Sequence, residues 1–341
     1  MKHRASPLRL LIAALDGRLP DESAWPKVLE TANRGWLVPA LYVALRKQNC
    51  IDAVPEPVRD YLALLHDRNA ERNRRLRAQL IEAVGALNRK GIEPILLKGG
   101  VSLFTAPDDS LGARMLSDLD INLEPSEMRT AKDALAELGY RERAIPRELG
   151  RPQDVGEIEL HDRPSRRSAA YLKGDLRAWT SVMEKDGASA RIPDPTARAL
   201  HLIVHDMIKE GDYWRLRIDL RHLHDLAELA RAPEGLDWRR LIDALSIGPA
   251  RAALELQAIA LADLYRVSVP GDLIRGLLTR LRHSARLATA TQGLGGYLSR
   301  AAGNLSWGLH RLRDDYSWEG AGKLMRRARG VFLMPAKGSR L

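Results

Sequence analysis

Apolar residues recur at three- and four-residue spacing along most of this chain and give way to alternation in only a few short stretches. Leu8 to Leu15, a segment that Asp21 or Ser23 caps with Pro26 in its first turn, and Val38 to Lys47 each predict a helix. Pro55 to Arg89 predicts a long amphipathic helix whose apolar face carries Val58, Leu62, Leu65, Leu76, Leu80, Ile81, Val84 and Leu87. Its middle is crowded with Arg68, Arg72, Arg74, Arg75 and Arg77, which read as a solvated face offset by Asp67 and Glu71. Gly91 ends this helix, and Ile92 to Leu97 predicts a short buried strand. Val101 to Thr105 opens a helix that Pro107-Asp108-Asp109 breaks, and Ser117 to Leu123 predicts a second strand closed by Glu124-Pro125. Ser126 is expected to cap a helix through Leu138, stopped by Gly139, with Tyr140 to Ala144 extended after it. Asp154 to His161 alternates polar and apolar residues and predicts a half-buried strand. Past Pro193 and Pro195 the pattern returns to helices over Thr196 to Lys209, Trp238 to Leu245 and Ala250 to Tyr265. Beyond Pro270 it weakens: a basic helix over Leu273 to Leu287, an interruption at Gly293, Gly295 and Gly296, then Asn304 to Trp318. These signals divide the chain into an N-terminal helical region (1–90), a mixed αβ core (91–193), a C-terminal helical domain (194–270) and a basic helical tail (271–341).

Two stretches of the core carry chemistry. Strand side chains alternate faces, so Asp118 and Asp120 point to one side and Leu119 and Ile121 to the other. Two carboxylates side by side repel unless a cation lies between them, and Mg²⁺ commonly binds one or two carboxylates together with substrate phosphates. Upstream, Gly99-Gly100 lets a turn approach a phosphate closely, with the following helix N-terminus favouring the anion. In the later strand Glu157, Glu159 and His161 share a face.

Leu97-Lys98-Gly99-Gly100, then Arg114, then Ser117-Asp118-Leu119-Asp120 resembles the polymerase-β-like nucleotidyltransferase superfamily, and within it the bacterial uncharacterised nucleotidyltransferase family, with AbiEii-type toxin enzymes as near relatives. The resemblance spans roughly Gly91 to Leu229, and the gap from Val101 to Ser117 is longer than the minimal superfamily pattern. It implies an α+β fold: a polymerase-β-like core, a mixed sheet with flanking helices, between N- and C-terminal helical regions. It also implies an Mg²⁺-dependent enzyme, with Mn²⁺ as a substitute, that moves a nucleoside monophosphate from an NTP such as ATP to a hydroxyl and releases pyrophosphate. Asp118 and Asp120 would hold the metal. The third carboxylate would be Glu159, because Glu159-Leu160-His161 matches the family's acidic-hydrophobic-His element best, with Glu157 as runner-up; the family usually has aspartate there. Lys98 or Arg114 would offset leaving-group charge, Gly99 and Gly100 would cradle phosphates, Ser117 would donate a hydrogen bond and His161 would position substrate. The family's His…Trp-x-x-Leu…Asp-Leu pattern is matched by His205, Trp214 and Asp219, so Arg215 or Arg217 would neutralise the triphosphate; the competing reading makes Asp219 part of an Arg–Asp pair that buttresses helices. His201 and His205, at i and i+4, read as core histidines in preference to a metal pair.

Composition narrows the setting. Residues are 45% hydrophobic and only 5% aromatic, as in a globular, helix-rich protein. The single cysteine, Cys50, excludes an intrachain disulfide framework and a cysteine-based zinc site. No run is long and apolar enough to span a membrane, and the opening segment is too short and charged for a signal peptide, so the expected location is cytoplasmic. The net charge is +10, and Arg275 to Leu341 alone, with thirteen Lys/Arg and three Asp/Glu, accounts for all of it. A tail that basic, including Lys323 to Arg329, invites nucleic-acid contact, although a packed helical tail with solvated arginines is the plainer reading. The basic loop Arg163 to Arg167 reads as surface. The acceptor stays open: a small molecule, a tRNA or other RNA end as in toxin-type enzymes, or a protein hydroxyl as in adenylyltransferases. A non-catalytic nucleotide-binding module is the remaining alternative.

Overall fold

A computed structural model describes residues 6–145, 147–164, 168–172, 176–290 and 294–318. Part of the basic loop, residues 165–167, and most of the basic tail, including Lys323 to Arg329, lie outside the described residues. The chain forms two compact units, one of residues 1–202 with 232–237, the other of residues 203–231 with 238–341.

The first unit begins with α1 (Pro7–Leu15), α2 (Trp25–Arg34), α3 (Val38–Lys47) and the long α4 (Glu56–Arg89). A mixed α+β region follows: β1 (Ile95–Leu96), α5 (Lys98–Thr105), β2 (Asp118–Asn122), α6 (Met128–Glu137), β3 (Arg141–Glu142), β4 (Glu148–Gly150), β5 (Glu157–His161), β6 (Thr180–Lys185) and β7 (Ala188–Pro193). The sheet has seven strands in the order β3-β4-β5-β2-β1-β7-β6. β2 with β5 and β1 with β7 are parallel, and the other neighbours are antiparallel. The apolar face of β2 and β5, Leu119, Ile121, Ile158 and Leu160, is fully buried in one core with Leu76, Leu80 and Val84 of α4, Phe104 of α5 and Leu135 of α6.

α7 (Pro195–Ile203) follows β7, and the second unit holds a π-helical turn (Val204–Lys209). It then runs through α8 (Asp212–Arg215), α9 (Leu220–Arg231), α10 (Trp238–Ala244), α11 (Pro249–Tyr265), α12 (Leu277–Thr289) and α13 (Leu294–Trp318). α13 runs through Gly295 and Gly296, where the sequence predicts an interruption. No helix among the described residues is long and apolar enough to cross a membrane.

Several local expectations are corrected. The helix after β1 starts at Lys98, not Val101, so both glycines lie in its first turn. Ser126 does not cap α6; Glu127 precedes that helix and its side chain accepts from Glu124 N at 2.9 Å. The arginines of α4 are not one solvated face. Arg77, 8% exposed at its side chain, donates to Leu103 O at 2.6 Å and to Ala106 O, and pairs with Asp108 at 2.5 Å. Arg72 donates to Leu116 O and, at 2.9 Å, to Val155 O. These residues satisfy carbonyls that would otherwise be buried without partners, a stronger demand than solvation of the side chain.

Arg77→Ala is therefore expected to cost about 3 kcal/mol in urea unfolding, because two inward carbonyls lose a charged donor. Arg74→Ala, which removes only an exposed pair with Glu71, is expected to change stability by less than about 0.5 kcal/mol. Equal effects would show that α4 does not hold the loops it touches.

Candidate active site

The register of β2 against β5 builds the site. Asp118 lies opposite Glu157, Asp120 opposite Glu159 and Asn122 opposite His161. Because side chains alternate, these six polar groups form two adjoining rows on the sheet face opposite the core. Burial follows the same alternation in β5, with Ile158 and Leu160 buried and Glu157, Glu159 and His161 intermediate.

Within this grid the carboxylates differ. Asp120 is 1% exposed, and its Oδ1 accepts from Lys98 Nζ at 2.8 Å and from His161 Nε2 at 2.9 Å. Burial alone would push Asp120 up, but the His161 hydrogen bond and the Lys98 charge outweigh it and hold the carboxyl well below the usual carboxylate range. Lys98 is raised in turn: burial opposes its charge, and Asp120, Asp118 and Glu159 more than compensate. Asp118 is half-buried and accepts from Ser117 Oγ at 2.9 Å. Glu157 pairs with Arg143 at 3.0 Å, whereas Glu159 lies 3.7 Å from His161. Asp120, Glu159 and His161 place ligand-type atoms within 4.8 Å of one another. The oxygen donors of Asp120 and Glu159 suit a hard divalent cation such as Mg²⁺ or Mn²⁺, and Asp118 lies two residues before Asp120 on the same strand, outside that cluster.

Lys98 reaches Asp120 from a strained position. It has φ +46°, a left-handed conformation costly for a residue with a Cβ. Gly99 is required by packing: a Cβ there would run into Leu116 Cδ2 and lie 2.5 Å from Arg114 Nη1. Arg114 thus lies against the first turn of α5, while the Gly100 amide donates to Leu97 O at 3.0 Å. Backbone bonds fix the rest, Leu97 N to Asp120 O at 3.0 Å and Leu123 N to His161 O at 2.8 Å.

Three residues of α4 hold this site and were read differently, or passed over, in the sequence. Asn69 donates to Gly112 O (2.7 Å) and Arg114 O (3.0 Å), and Asn73 to Leu111 O and Arg114 O, both at 2.8 Å. Arg72 joins the residue before Ser117 to the end of the segment leading into β5. A signal was present: Asn69 and Asn73 stand in phase with Leu62, Leu76 and Leu80, so they interrupt an apolar stripe with polar groups that must be buried.

Arg215 and Asp219 belong to the second unit and are engaged there. The Arg215 guanidinium lies over the Trp307 ring at 5.2 Å. Asp219 precedes α9, and its Oδ1 accepts from His222 N at 3.1 Å, which is a helix-capping role. His205 lies in the π turn, where its Nδ1 meets the carboxylate of the adjacent Asp206 at 2.9 Å. His222 Nδ1 faces both oxygens of Asp206, at 2.8 and 2.9 Å, and its Nε2 faces Arg221 at 3.2 Å. Nδ1 donates to the Asp206 carboxylate, so these contacts form a hydrogen-bonded network, and the Asp206 and Asp219 charges outweigh burial and raise the His222 pKa.

A seven-stranded mixed sheet with flanking helices is compatible with an α+β nucleotidyltransferase. The chain belongs to the uncharacterised nucleotidyltransferase family, whose model matches residues 21–266. Neither a curated protein nor a solved structure matches it significantly.

Asp120→Ala is expected to destabilise the fold by about 3–5 kcal/mol, because it strands a buried lysine. Asp118→Ala, at a half-buried position, is expected to stay within about 0.5 kcal/mol of wild type. Denaturant unfolding of the two variants, with Lys98→Met/Asp120→Ala recovering part of the loss, checks this assignment.

Proposed function

We propose that this enzyme is a metal-dependent nucleotidyltransferase with a polymerase-β-like core, transferring a nucleoside monophosphate from an NTP to a hydroxyl acceptor and releasing pyrophosphate. The observation that carries this reading is the in-register pairing of Asp118-x-Asp120 with Glu157-x-Glu159-x-His161, beside the Lys98-Gly99-Gly100 turn.

Asp118, Asp120 and Glu159 would hold Mg²⁺, which supplies charge neutralisation of the triphosphate and a more acidic acceptor hydroxyl. Glu159 is preferred to Glu157 as the third carboxylate, since Glu157 is committed to Arg143 while Glu159 is grouped with Asp120 and His161. Glu159 would join the metal or take the acceptor's proton. The first turn of α5 directs its amide end and positive dipole to the phosphates; the Gly100 amide, which already donates to Leu97, contributes less than Gly99. Arg114, packed on that turn, offsets charge on the departing pyrophosphate, a task suited to a forked guanidinium. Ser117 orients Asp118 through its hydroxyl. Lys98 serves the site through Asp120.

Thermal stability of the full chain should rise with at least one of the four NTPs only when Mg²⁺ is present, and Asp118→Ala should lose that rise while keeping its unliganded melting temperature. NTP turnover in Asp118→Ala should fall by about 10³-fold, the effect of removing several kcal/mol of metal-borne stabilisation. Undiminished, still Mg²⁺-dependent turnover in that variant would refute the assignment.

A further inference from the structure

We propose that His161 is a positioning residue and not a metal ligand: with Lys98 it fills Oδ1 of Asp120, so that this carboxylate offers a cation a single oxygen, Oδ2. The proposal rests on the metal-dependent reading above and specifies how the site selects its metal.

A carboxylate oxygen has two acceptor positions. Oδ1 of Asp120 receives two donors, Lys98 Nζ at 2.8 Å and His161 Nε2 at 2.9 Å. Both positions are then occupied. No hydrogen bond from a described residue reaches Oδ2, which leaves it as the atom with capacity for a ligand. The same count applies to the imidazole. A nitrogen that donates to Asp120 carries a proton and has no lone pair for a cation, and Glu159 Oε1 is farther from that nitrogen, at 3.7 Å.

The fold explains why the contact is made. His161 lies opposite Asn122, two residues beyond the Asp120–Glu159 pair, and so occupies the diagonal position across the parallel strands. Long and ring-shaped side chains reach across that diagonal. His161 is also anchored through its own carbonyl, which accepts from Leu123 N. On the other side Lys98 is aimed by its left-handed backbone.

The consequence concerns metal choice. With Nε2 of His161 turned to Asp120, and Nδ1 on the far side of the ring from that contact, the donors left to a cation beside Asp120 and Glu159 are carboxylate oxygens. Such a set favours Mg²⁺ and Mn²⁺, whereas an imidazole ligand would move preference toward Zn²⁺ and its neighbours. Outer residues that orient a ligand typically matter 10–100-fold for metal affinity.

Mn²⁺ binding to the full-length protein, followed by electron paramagnetic resonance, tests this. His161→Ala should weaken Mn²⁺ binding by about tenfold or more. His161→Gln, whose amide N–H can still donate to Asp120, should recover most of that loss. Pulsed measurements on the wild-type Mn²⁺ complex should show no coupling from a directly bound imidazole nitrogen. Equal losses in both variants, or an imidazole coupling that His161→Gln removes, would make His161 a ligand and overturn the proposal; an unchanged affinity in His161→Ala would make it a bystander and do the same. Should wild type fail to bind Mn²⁺, or Asp118→Ala bind it as wild type does, the metal-dependent reading itself fails and takes this one with it.

Discussion

The parallel pairing of β2 with β5 is the constraint on which the rest of this protein depends. A shift of one residue would turn every side chain of one strand to the other face, burying carboxylates in the core and exposing leucine and isoleucine. The register is secured twice. From below, Leu119, Ile121, Ile158 and Leu160 pack without exposure against α4, α5 and α6. From the side, Arg72 of α4 bonds the carbonyls of Leu116 and Val155, ahead of the two strands. Gly156 adds a close approach: a Cβ there would come within 2.5 Å of Leu76 Cδ2 and 3.3 Å of Ser117 O. The strands are thus brought together where they enter the sheet, and the functional groups follow from the pleat.

A price in stability accompanies this placement. Asp120 and Lys98 are both largely removed from water. Desolvation of two charges is repaid only by close geometry and further hydrogen bonds, and here His161 supplies the further bond. Lys98 also takes a left-handed backbone at the start of α5. Backbone strain at Lys98 and a buried Asp120–Lys98 pair fall at one spot, a coincidence often found at sites kept for chemistry.

The second unit uses polar groups differently. In its π turn His205 meets the Asp206 carboxylate, and His222 of α9 completes a buried network there. Arg286, 1% exposed, donates to Arg217 O at 2.9 Å and shares Gln257 Oε1. Burial pushes its pKa down to about 10, with Asp212 and Asp206 opposing the shift. These groups tie irregular backbone to the helices, so the histidine and aspartate that the family pattern singles out are engaged in holding α9 and the turn.

Much of this was legible in the chain itself. The 3.6-residue period located α3 to the residue and α4 to within one, since a helix that buries one stripe writes that stripe into its sequence. Strict alternation likewise placed Asp118 and Asp120 on one face and Glu157, Glu159 and His161 on one face. What alternation could not give was which members of the two rows would meet. Alternation treats Glu157 and Glu159 alike, and although the resemblance favours Glu159, their different partners come from the register and from the arrival of Arg143 from outside the strand. Nor could local pattern show that Arg72, Asn69 and Asn73 serve carbonyls some forty to eighty residues away along the chain. Periodicity is a property of one element and survives in sequence, so the elements and their faces were determined there. Pairing, charge partnership and the filling of a particular oxygen are relations between distant segments, and those only the tertiary structure decided.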